Sequence, residues 1–315
     1  MQALIRLALP LFVVVVAGCL VVVEPPDPVD GGPQLPDGGV GEGEGEGEGE
    51  GEPGEGEGEG EPGEGEGEGE GEGEGEEGLA VGLSDRVVDV DGTLRRFELA
   101  VPRDINGPPV PLIIALHGNG DNAQDFLLAL SLAVVGSELQ SIIAVPEGFT
   151  RNVDFAGITI PSVEWDPYTD TADNVDVAFL DAVVADLMAT GEVDIKAIHV
   201  FGYSQGGFMA FRYALERSAS VGSAVVVAAG NPFGDGHLVT APGVRKVPFA
   251  FRVGTDDSLA PVTRDSELLL RNNAHLTFLD EIVGADHAPF PRAADETLVG
   301  VVTTLMQFQV DHPLP

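Results

Sequence analysis

The residue of this chain best suited to covalent chemistry is Ser204. It stands in the segment Gly-Tyr-Ser-Gln-Gly at residues 202–206, after an apolar run at 198–201 that predicts a strand and before a helical pattern that begins at Phe208. A sharp turn between a strand and a helix exposes a serine hydroxyl, and glycines flank it because side chains would crowd the turn. We therefore expect Ser204 to be a nucleophile; the alternative is a passive serine in a glycine-rich turn.

A serine nucleophile needs an adjacent base, which is commonly histidine. If the chain order Ser, Asp, His holds, four histidines qualify, namely His237, His275, His287 and His312. The first lies in a Gly/Pro-rich loop, the second precedes the last predicted strand and the fourth lies in the C-terminal tail. His287 follows the apolar run at 276–282, where a loop can reach Ser204. We expect His287 to be the base; the alternative is a surface histidine.

The acid that orients such a histidine is expected after the apolar run at 248–253. The sequence there continues Gly-Thr-Asp-Asp, so Asp256 and Asp257 both qualify. A carboxylate in this place accepts the histidine N–H, fixes its tautomer and stabilises the imidazolium. Asp256 suits a turn or a helix cap, but the local pattern leaves the choice open.

Acyl transfer also needs N–H donors for the developing oxyanion. The backbone amide of Gln205 supplies one by its position after the nucleophile. The second is expected from the glycine-rich segment that follows the apolar run at 112–116, with Asn119 as the first choice and Gly118 as the next.

The elements around these residues follow an α/β pattern. An Asp-Gly turn at 91–92 between two short apolar stretches predicts an antiparallel hairpin of two edge strands. After it, continuous apolar runs predict strands of a mostly parallel, doubly wound sheet. The runs at 112–116, 142–145, 198–201, 224–228, 248–253 and 276–282 predict the strands, and 122–135, 174–188, 205–217, 261–271 and 297–308 predict the helices.

Residues 147–173 form the longest stretch without a clear pattern. We expect an irregular loop that overhangs the site, and no separate large cap domain. The chain's one tryptophan, Trp165, lies in this stretch. It suits either an aromatic wall for substrate or ordinary packing.

The acidic balance is extreme, with a formal net charge of −38. Of the 53 acidic residues, 22 lie in residues 24–78 without one basic residue, leaving 31 acidic and 14 basic residues from Leu79 onward. The almost pure Gly-Glu sequence at 41–78 has no apolar side chain to bury and predicts a disordered, extended tether. The remaining negative charge disfavours nucleic acid as a partner and favours a neutral or apolar substrate.

The N-terminus predicts export. Arg6 is followed by an apolar run of signal-peptide length, too short to span a bilayer. Residues 16–19, Val-Ala-Gly-Cys, resemble the bacterial lipobox, in which cleavage leaves a lipidated cysteine, here Cys19. The resemblance implies a signal peptide at 1–18, a tether at 19–79 and a membrane anchor through the lipid, at the envelope or cell surface; an ordinary signal peptide with an incidental cysteine, and hence secretion, is the alternative.

As a whole, residues 84–310 resemble the polyhydroxybutyrate depolymerase-like and feruloyl/acetylxylan esterases, secreted α/β-hydrolases without a large cap. The likeness rests on Leu-His-Gly at 116–118, Asp-Val-Ala-Phe-Leu at 176–180, Gly-Tyr-Ser-Gln-Gly-Gly at 202–207 and Gly-Thr-Asp-Asp at 254–257. It implies a catalytic domain at 80–315 and selects Asp257 as the acid and His287 as the base. Trp165 and His117 are candidate substrate contacts on this chain's own sequence. Two departures are Asn119, where the family often has cysteine, and Ala-Pro at 288–289, where it has Trp-Pro.

The resemblance implies a serine esterase that needs no cofactor and no metal and acts as a monomer. Its candidate substrates are hydroxybutyrate oligomers, feruloyl or acetyl polysaccharides and simple short-chain esters. Two alternatives remain open on the same residues: a serine peptidase, which uses the same triad, and a binding module on a hydrolase scaffold, since fold does not fix function.

Overall fold

The computed structural model describes residues 13–16, 19–22, 78–103, 109–155, 158–169, 171–234, 245–290 and 297–315. The strands are numbered along the chain as β1 (Val13–Val16), β2 (Cys19–Val22), β3 (Gly82–Val90), β4 (Thr93–Val101), β5 (Val110–Leu116), β6 (Ile142–Pro146), β7 (Phe149–Phe155), β8 (Ile158–Glu164), β9 (Val193–Tyr203), β10 (Ala224–Val227), β11 (Phe249–Gly254) and β12 (Thr277–Ile282). The helices are α1 (Ala123–Ala129), α2 (Leu132–Leu139), α3 (Val175–Ala189), α4 (Gln205–Glu216), α5 (Ala260–Asn272) and α6 (Leu298–Val310), with a 3₁₀ turn at Thr171–Asp173.

One eight-stranded sheet organises the domain, in the order β12-β11-β10-β9-β5-β6-β4-β3. Its six strands from β12 to β6 are parallel, and β4 and β3 are added antiparallel. This is the mostly parallel, doubly wound sheet of the α/β-hydrolase fold that the sequence predicts. Parallel strands end at the same edge of a sheet, so the loops after β5, β9, β11 and β12 meet there.

The predicted N-terminal hairpin is present, with Asp91 and Gly92 both at positive φ, 51° and 83°. Two residues in this conformation make the tight turn that matches strand twist. The expectation of two edge strands was wrong for β4, since it pairs with β3 on one side and with β6 on the other. Of the two hairpin strands, only β3 lies at an edge of the sheet.

Helices cover both faces of the sheet, which explains why its central strands are apolar without alternation. Along β5, Leu112 and Ile114 point into the core beneath α3 and α4, while Ile113 and Ala115 point into the core shared with α1, α2 and α6. The side chains of Leu112 to Leu116 have no solvent exposure.

The segment expected to form one helix at 122–135 forms two. Helix α1 ends at Ala129, and Ser131 has a φ of 54° before α2 begins at Leu132. A non-glycine residue with this φ cannot continue a right-handed helix. The apolar spacing runs through the break, so periodicity alone does not show it.

The stretch at 147–173 is not irregular throughout. Strands β7 and β8 pair antiparallel from Phe149↔Glu164 to Phe155↔Ile158 and form a hairpin of their own. Between β6 and α3 the described chain contributes this hairpin and the 3₁₀ turn, and no cap domain.

At the N-terminus, β1 and β2 pair with each other, and Cys19 is the first residue of β2. None of the helices that the structure describes is both long enough and apolar enough to cross a bilayer. Most of the predicted signal peptide, and the predicted tether from residue 23 to residue 77, lie outside the described residues.

Candidate active site

Ser204 sits at the turn from β9 into α4, with φ 52° and ψ −123°. This backbone conformation is costly for a non-glycine residue and persists where surrounding structure enforces it. Here the amide of Ser204 donates to the carbonyl of Val227 at 2.9 Å. A Cβ on Gly202 would lie 2.1 Å from the carbonyl oxygen of Gly206, and one on Gly206 would lie 2.4 Å from that of Leu116. The flanking glycines are therefore required by the close approach of backbone to backbone.

Three side chains form a hydrogen-bonded chain at the carboxyl edge of the sheet. The hydroxyl of Ser204 lies 2.9 Å from Nε2 of His287, and Nδ1 of the same ring lies 2.9 Å from Oδ2 of Asp257. Because the carboxylate can only accept, Nδ1 carries the proton and Nε2 is left to accept from the hydroxyl. The Ser204 residue is 2% exposed and the Asp257 side chain 1%, while 26% of the His287 side chain is open to solvent.

The two adjacent aspartates differ in what they face. The carboxylate of Asp257 is held by the His287 ring and, through its other oxygen, by the amide of Leu259 at 2.9 Å. Asp256 is exposed, and its carboxylate accepts from the Thr255 hydroxyl. The structure thus places Asp257, and not Asp256, at the histidine.

The loop that carries His287 is held by two donors that the sequence reasoning did not single out. The hydroxyl of Tyr203 donates to the carbonyl of His287 at 3.1 Å, and Nε of Arg252 donates to the carbonyl of Pro289 at 2.5 Å. Burial, with smaller contributions from nearby aspartates, raises the pKa of Tyr203 to about 12, so its hydroxyl stays a donor. Arg252 is buried on β11 and pairs with Asp280 on β12. In the sequence, the one indication that Arg252 has such a role is its place within the apolar run at 248–253, because a buried charge needs a partner.

Backbone amides remain available for an oxyanion. Within the described chain, the amides of Gln205, Asn119 and Gly118 donate to no acceptor. Gly118 approaches the nucleophile closely, because a Cβ built on it would lie 3.5 Å from Cβ of Ser204. The structure therefore brings Gly118, the residue before Asn119, to the serine turn.

Trp165 and His117, the two expected substrate contacts, both lie in the interior of the described structure. Trp165 is 2% exposed and His117 is fully buried, with their ring centroids 5.2 Å apart. Nε1 of Trp165 donates to the carbonyl of His117 at 3.0 Å. Both rings pack in the interior of the protein, beneath the loop after β5.

The protonation state of His117 follows from its partners. Nδ1 lies 2.8 Å from the carbonyl of Gly118 and must donate, while Nε2 accepts from the amide of Gly148 at 2.9 Å. Desolvation lowers the pKa of His117, which keeps the ring neutral. A neutral ring with this tautomer fixes the carbonyl of Gly118.

Among the described residues, no group of three or more His, Cys, Asp or Glu side chains is arranged to hold a metal ion. The candidate site comprises the Ser204, His287 and Asp257 side chains and the nearby backbone amides.

Fold and side-chain geometry together define an α/β-hydrolase fold with a serine, histidine and aspartate at its carboxyl edge. No known protein-family profile and no curated protein matches the chain by sequence. Solved structures do match it. A ferulic acid esterase superposes with a TM-score of 0.57 and 16% identity, covering 73% of this chain and 98% of the other.

Two further solved structures superpose on this chain with similar TM-scores. The S-formylglutathione hydrolase of Agrobacterium tumefaciens has a TM-score of 0.55 and 14% identity, covering 73% of this chain and 94% of its own. A fluorophosphonate-binding serine hydrolase of Staphylococcus aureus has a TM-score of 0.53 and 12% identity, covering 72% and 98%. At these identities the likeness establishes the shared fold.

Proposed function

We propose that this protein is a serine hydrolase of carboxylic esters. The observation that carries the proposal is the continuous pair of 2.9 Å hydrogen bonds from Ser204 through His287 to Asp257. A nucleophile bonded to a base, and a base bonded to an orienting acid, is the arrangement that activates a serine hydroxyl. The free amides beside it supply the second requirement, stabilisation of an oxyanion.

The proposed reaction has two halves. Oγ of Ser204 attacks the ester carbonyl as Nε2 of His287 takes its proton, and the amides of Gln205 and Asn119 hold the oxyanion. The intermediate collapses, His287 protonates the departing alcohol, and an acyl-enzyme remains. Water then attacks the acyl group with His287 again as base, which releases the acid and restores the serine. Asp257 stays ionised and stabilises the imidazolium in both halves.

The proposed substrates are neutral esters of feruloyl, acetyl or hydroxybutyrate type. A neutral substrate fits the excess of acidic over basic residues from Leu79 onward, which disfavours polyanions. Ester type is supported by the resemblance noted in the sequence and by the ferulic acid esterase among the similar folds.

An ester panel on wild type and Ser204→Ala tests the proposal. The panel contains p-nitrophenyl acetate, methyl ferulate, the methyl ester of a hydroxybutyrate trimer and a peptide p-nitroanilide. We expect turnover of at least one ester and a loss of about a thousandfold or more in Ser204→Ala. Ser220→Ala is the matched control, because this exposed serine bonds only the carbonyl of Arg217.

The outcomes separate the alternatives. Full hydrolysis by Ser204→Ala contradicts the proposal. Cleavage of the anilide in preference to every ester would make the protein a peptidase, and a Ser204 that fails to react with a fluorophosphonate probe would favour a binding module.

We also propose that the chain is exported and anchored through a lipid on Cys19. The support is the position of this one cysteine directly after a signal-like apolar run. Expressed in a bacterium, the wild type is expected in the detergent phase on Triton X-114 partitioning and Cys19→Ser in the aqueous phase. Equal partitioning of the two proteins would exclude the anchor.

A further inference from the structure

One short segment contacts both loops that carry the amides of the proposed oxyanion hole. The segment is Val163, Glu164 and Trp165, at the end of β8. On one side it meets the loop after β5, which holds Asn119. On the other it meets the first residue of α4, Gln205.

Three hydrogen bonds join the segment to the first loop, one of them the bond from Nε1 of Trp165 to the carbonyl of His117. Nδ2 of Asn119 donates to Oε1 of Glu164 at 3.1 Å, and the amide of Gly120 donates to the carbonyl of Val163 at 2.9 Å. These bonds fix the residues on both sides of the Asn119–Gly120 peptide bond. The Asn119 side chain is therefore occupied, while its backbone amide stays free for a ligand.

The contact to the second loop is equally direct. The amide of Trp165 donates to Oε1 of Gln205 at 2.9 Å. The side chain of Gln205 is thus used to hold position, and its backbone amide, at the N-terminus of α4, stays free. Consecutive residues, Glu164 and Trp165, bind the side chains of the two proposed oxyanion donors.

The segment is itself fixed from below. The amide of Asp166 donates to Asp176 at 2.8 Å, and Arg151 on the paired strand β7 reaches the same carboxylate at 3.3 Å. Asp176 is fully buried at the start of α3 and also bonds Arg95. The segment therefore connects both amides to a buried charge network.

From these contacts we infer that Glu164 and Trp165 are positioning residues, which set the spacing between the Asn119 and Gln205 amides. The inference rests on the proposed function, because it assigns both amides to the oxyanion. An oxyanion hole works when donors lie within hydrogen-bond distance of the developing charge before the reaction begins. Small displacements of such groups cost catalysis heavily. Glu164 acts through its acceptor oxygen, and its charge is not required.

The test compares Glu164→Leu with Glu164→Gln. Leucine removes the acceptor for Asn119, whereas glutamine keeps an oxygen in the same place and removes the charge. Glu138→Leu is the matched control, because exposed Glu138 on α2 accepts one hydrogen bond, from Thr303, away from the site. End-point titration with a fluorophosphonate gives the concentration of reactive serine in each protein. Because kcat is then expressed per reactive serine, loss of folded protein does not change it.

We expect Glu164→Leu to lose about tenfold to a hundredfold in kcat with little change in KM. Its affinity for a trifluoromethyl ketone, which forms a tetrahedral oxyanion adduct, should fall by a similar factor. Glu164→Gln should recover most of the kcat, and Glu138→Leu should match the wild type. Equal kcat in Glu164→Leu and Glu138→Leu overturns the inference, and so does a Glu164→Gln as slow as Glu164→Leu.

Failure of the proposed function looks different, because the wild type itself would then turn over no ester. In that case amide hydrogen exchange still decides whether the segment holds the loops. Faster exchange at residues 118–120 in Glu164→Leu than in Glu164→Gln supports positioning, and identical exchange refutes it.

Discussion

Asp257 and Asp256 are neighbours in sequence with opposite surroundings, which makes them a natural pair of variants. Asp257→Asn is expected to lower kcat by about 10⁴, because an asparagine can donate to Nδ1 and impose the wrong tautomer on His287. The measurement is hydrolysis of the best ester from the panel, per titrated serine.

The control is Asp256→Asn, one residue away and exposed, which should retain wild-type kcat. If the two variants lose activity equally, the 2.9 Å bond between Asp257 and His287 does not serve catalysis.

A second residue-scale prediction concerns His199, which is fully buried on β9 and bonds the hydroxyl of Ser223 at 2.9 Å. Burial, with a small contribution from His312, lowers its pKa to about 3. Below pH of about 6.5 the unfolded chain takes up a proton that the folded chain excludes. The free energy of unfolding should therefore fall as pH drops from about 6.5 toward 3, by up to ~1.4 kcal/mol per pH unit from this residue.

Urea unfolding at pH 8, 6.5 and 5 measures this effect, with His199→Gln as the comparison because glutamine can bond Ser223 but does not titrate. At pH 8 His199 does not titrate, so the difference in the free energy of unfolding between wild type and variant at that pH reports packing alone. The variant should lose less stability than the wild type between pH 6.5 and pH 5, and parallel losses would contradict the prediction.

The candidate nucleophile and base could be named from the sequence because each follows an apolar strand in a fixed order, whereas the same pattern left Asp256 and Asp257 open and only the family resemblance selected Asp257. Trp165 could not be placed, since an aromatic residue in a loop without periodicity suits a wall or a core equally. Its burial depends on His117, which is 48 residues away in the chain. Pairings over such separations leave no local pattern.

At the scale of elements, the hairpin β7–β8 depends on a charge buried at its base. Asp176 is fully buried and bonds Arg95 at 3.0 Å, whose guanidinium carbon lies 4.1 Å from the Phe179 ring centroid. Removing one partner of a buried ion pair leaves the other uncompensated. Asp176→Asn is therefore expected to lower the free energy of unfolding by about 3–5 kcal/mol, measured by urea denaturation.

Asp173→Asn serves as the comparison, because this residue is exposed and only three positions earlier. Its unfolding midpoint should equal that of the wild type. Coincident midpoints for Asp176→Asn and Asp173→Asn would show that the network contributes nothing to stability.

The central strands and most helices could be predicted because burial on two faces gives uninterrupted apolar runs. The hairpin β7–β8 could not, since its outer residues Ile158, Thr159, Ile160 and Pro161 are exposed and no core selects their residue types. What orders it is the hydrogen bonding at its base, where Glu164, Trp165 and Asp166 meet three other parts of the chain.

At the scale of the whole molecule, Leu79 is the first core residue among those whose burial the structure describes, and its amide donates to the Glu192 carboxylate at 2.7 Å. The Gly-Glu segment before it has no apolar side chain to add. A chain beginning at Gly78 is therefore expected to retain the kcat/KM and the melting temperature of the longer protein. Differential scanning calorimetry and the ester assay check this, and a melting temperature lower by several degrees would show that earlier residues pack on the domain.

The sequence predicts a mostly parallel sheet and the strands that precede the three site residues, whereas the order of the strands is seen only in the structure. The parallel strands carry Ser204 after β9, Asp257 after β11 and His287 after β12, so three positions spread over 84 residues meet at one edge. Which face of each loop turns inward is set by close backbone contacts, such as the 2.2 Å approach that a Cβ on Gly254 would make to the Ala285 carbonyl. Such contacts join residues that are far apart in the chain, so they cannot be predicted from the local sequence.

The burial of Trp165 has a practical consequence. The chain contains no other tryptophan, so its indole emission comes from one place, directly beneath the loop that holds Asn119. Excitation at 295 nm thus gives a label-free optical signal from the catalytic edge alone. In a stopped-flow experiment a change in that signal would time the formation and decay of the proposed acyl-enzyme with acetyl or hydroxybutyrate esters, including those that release no coloured product.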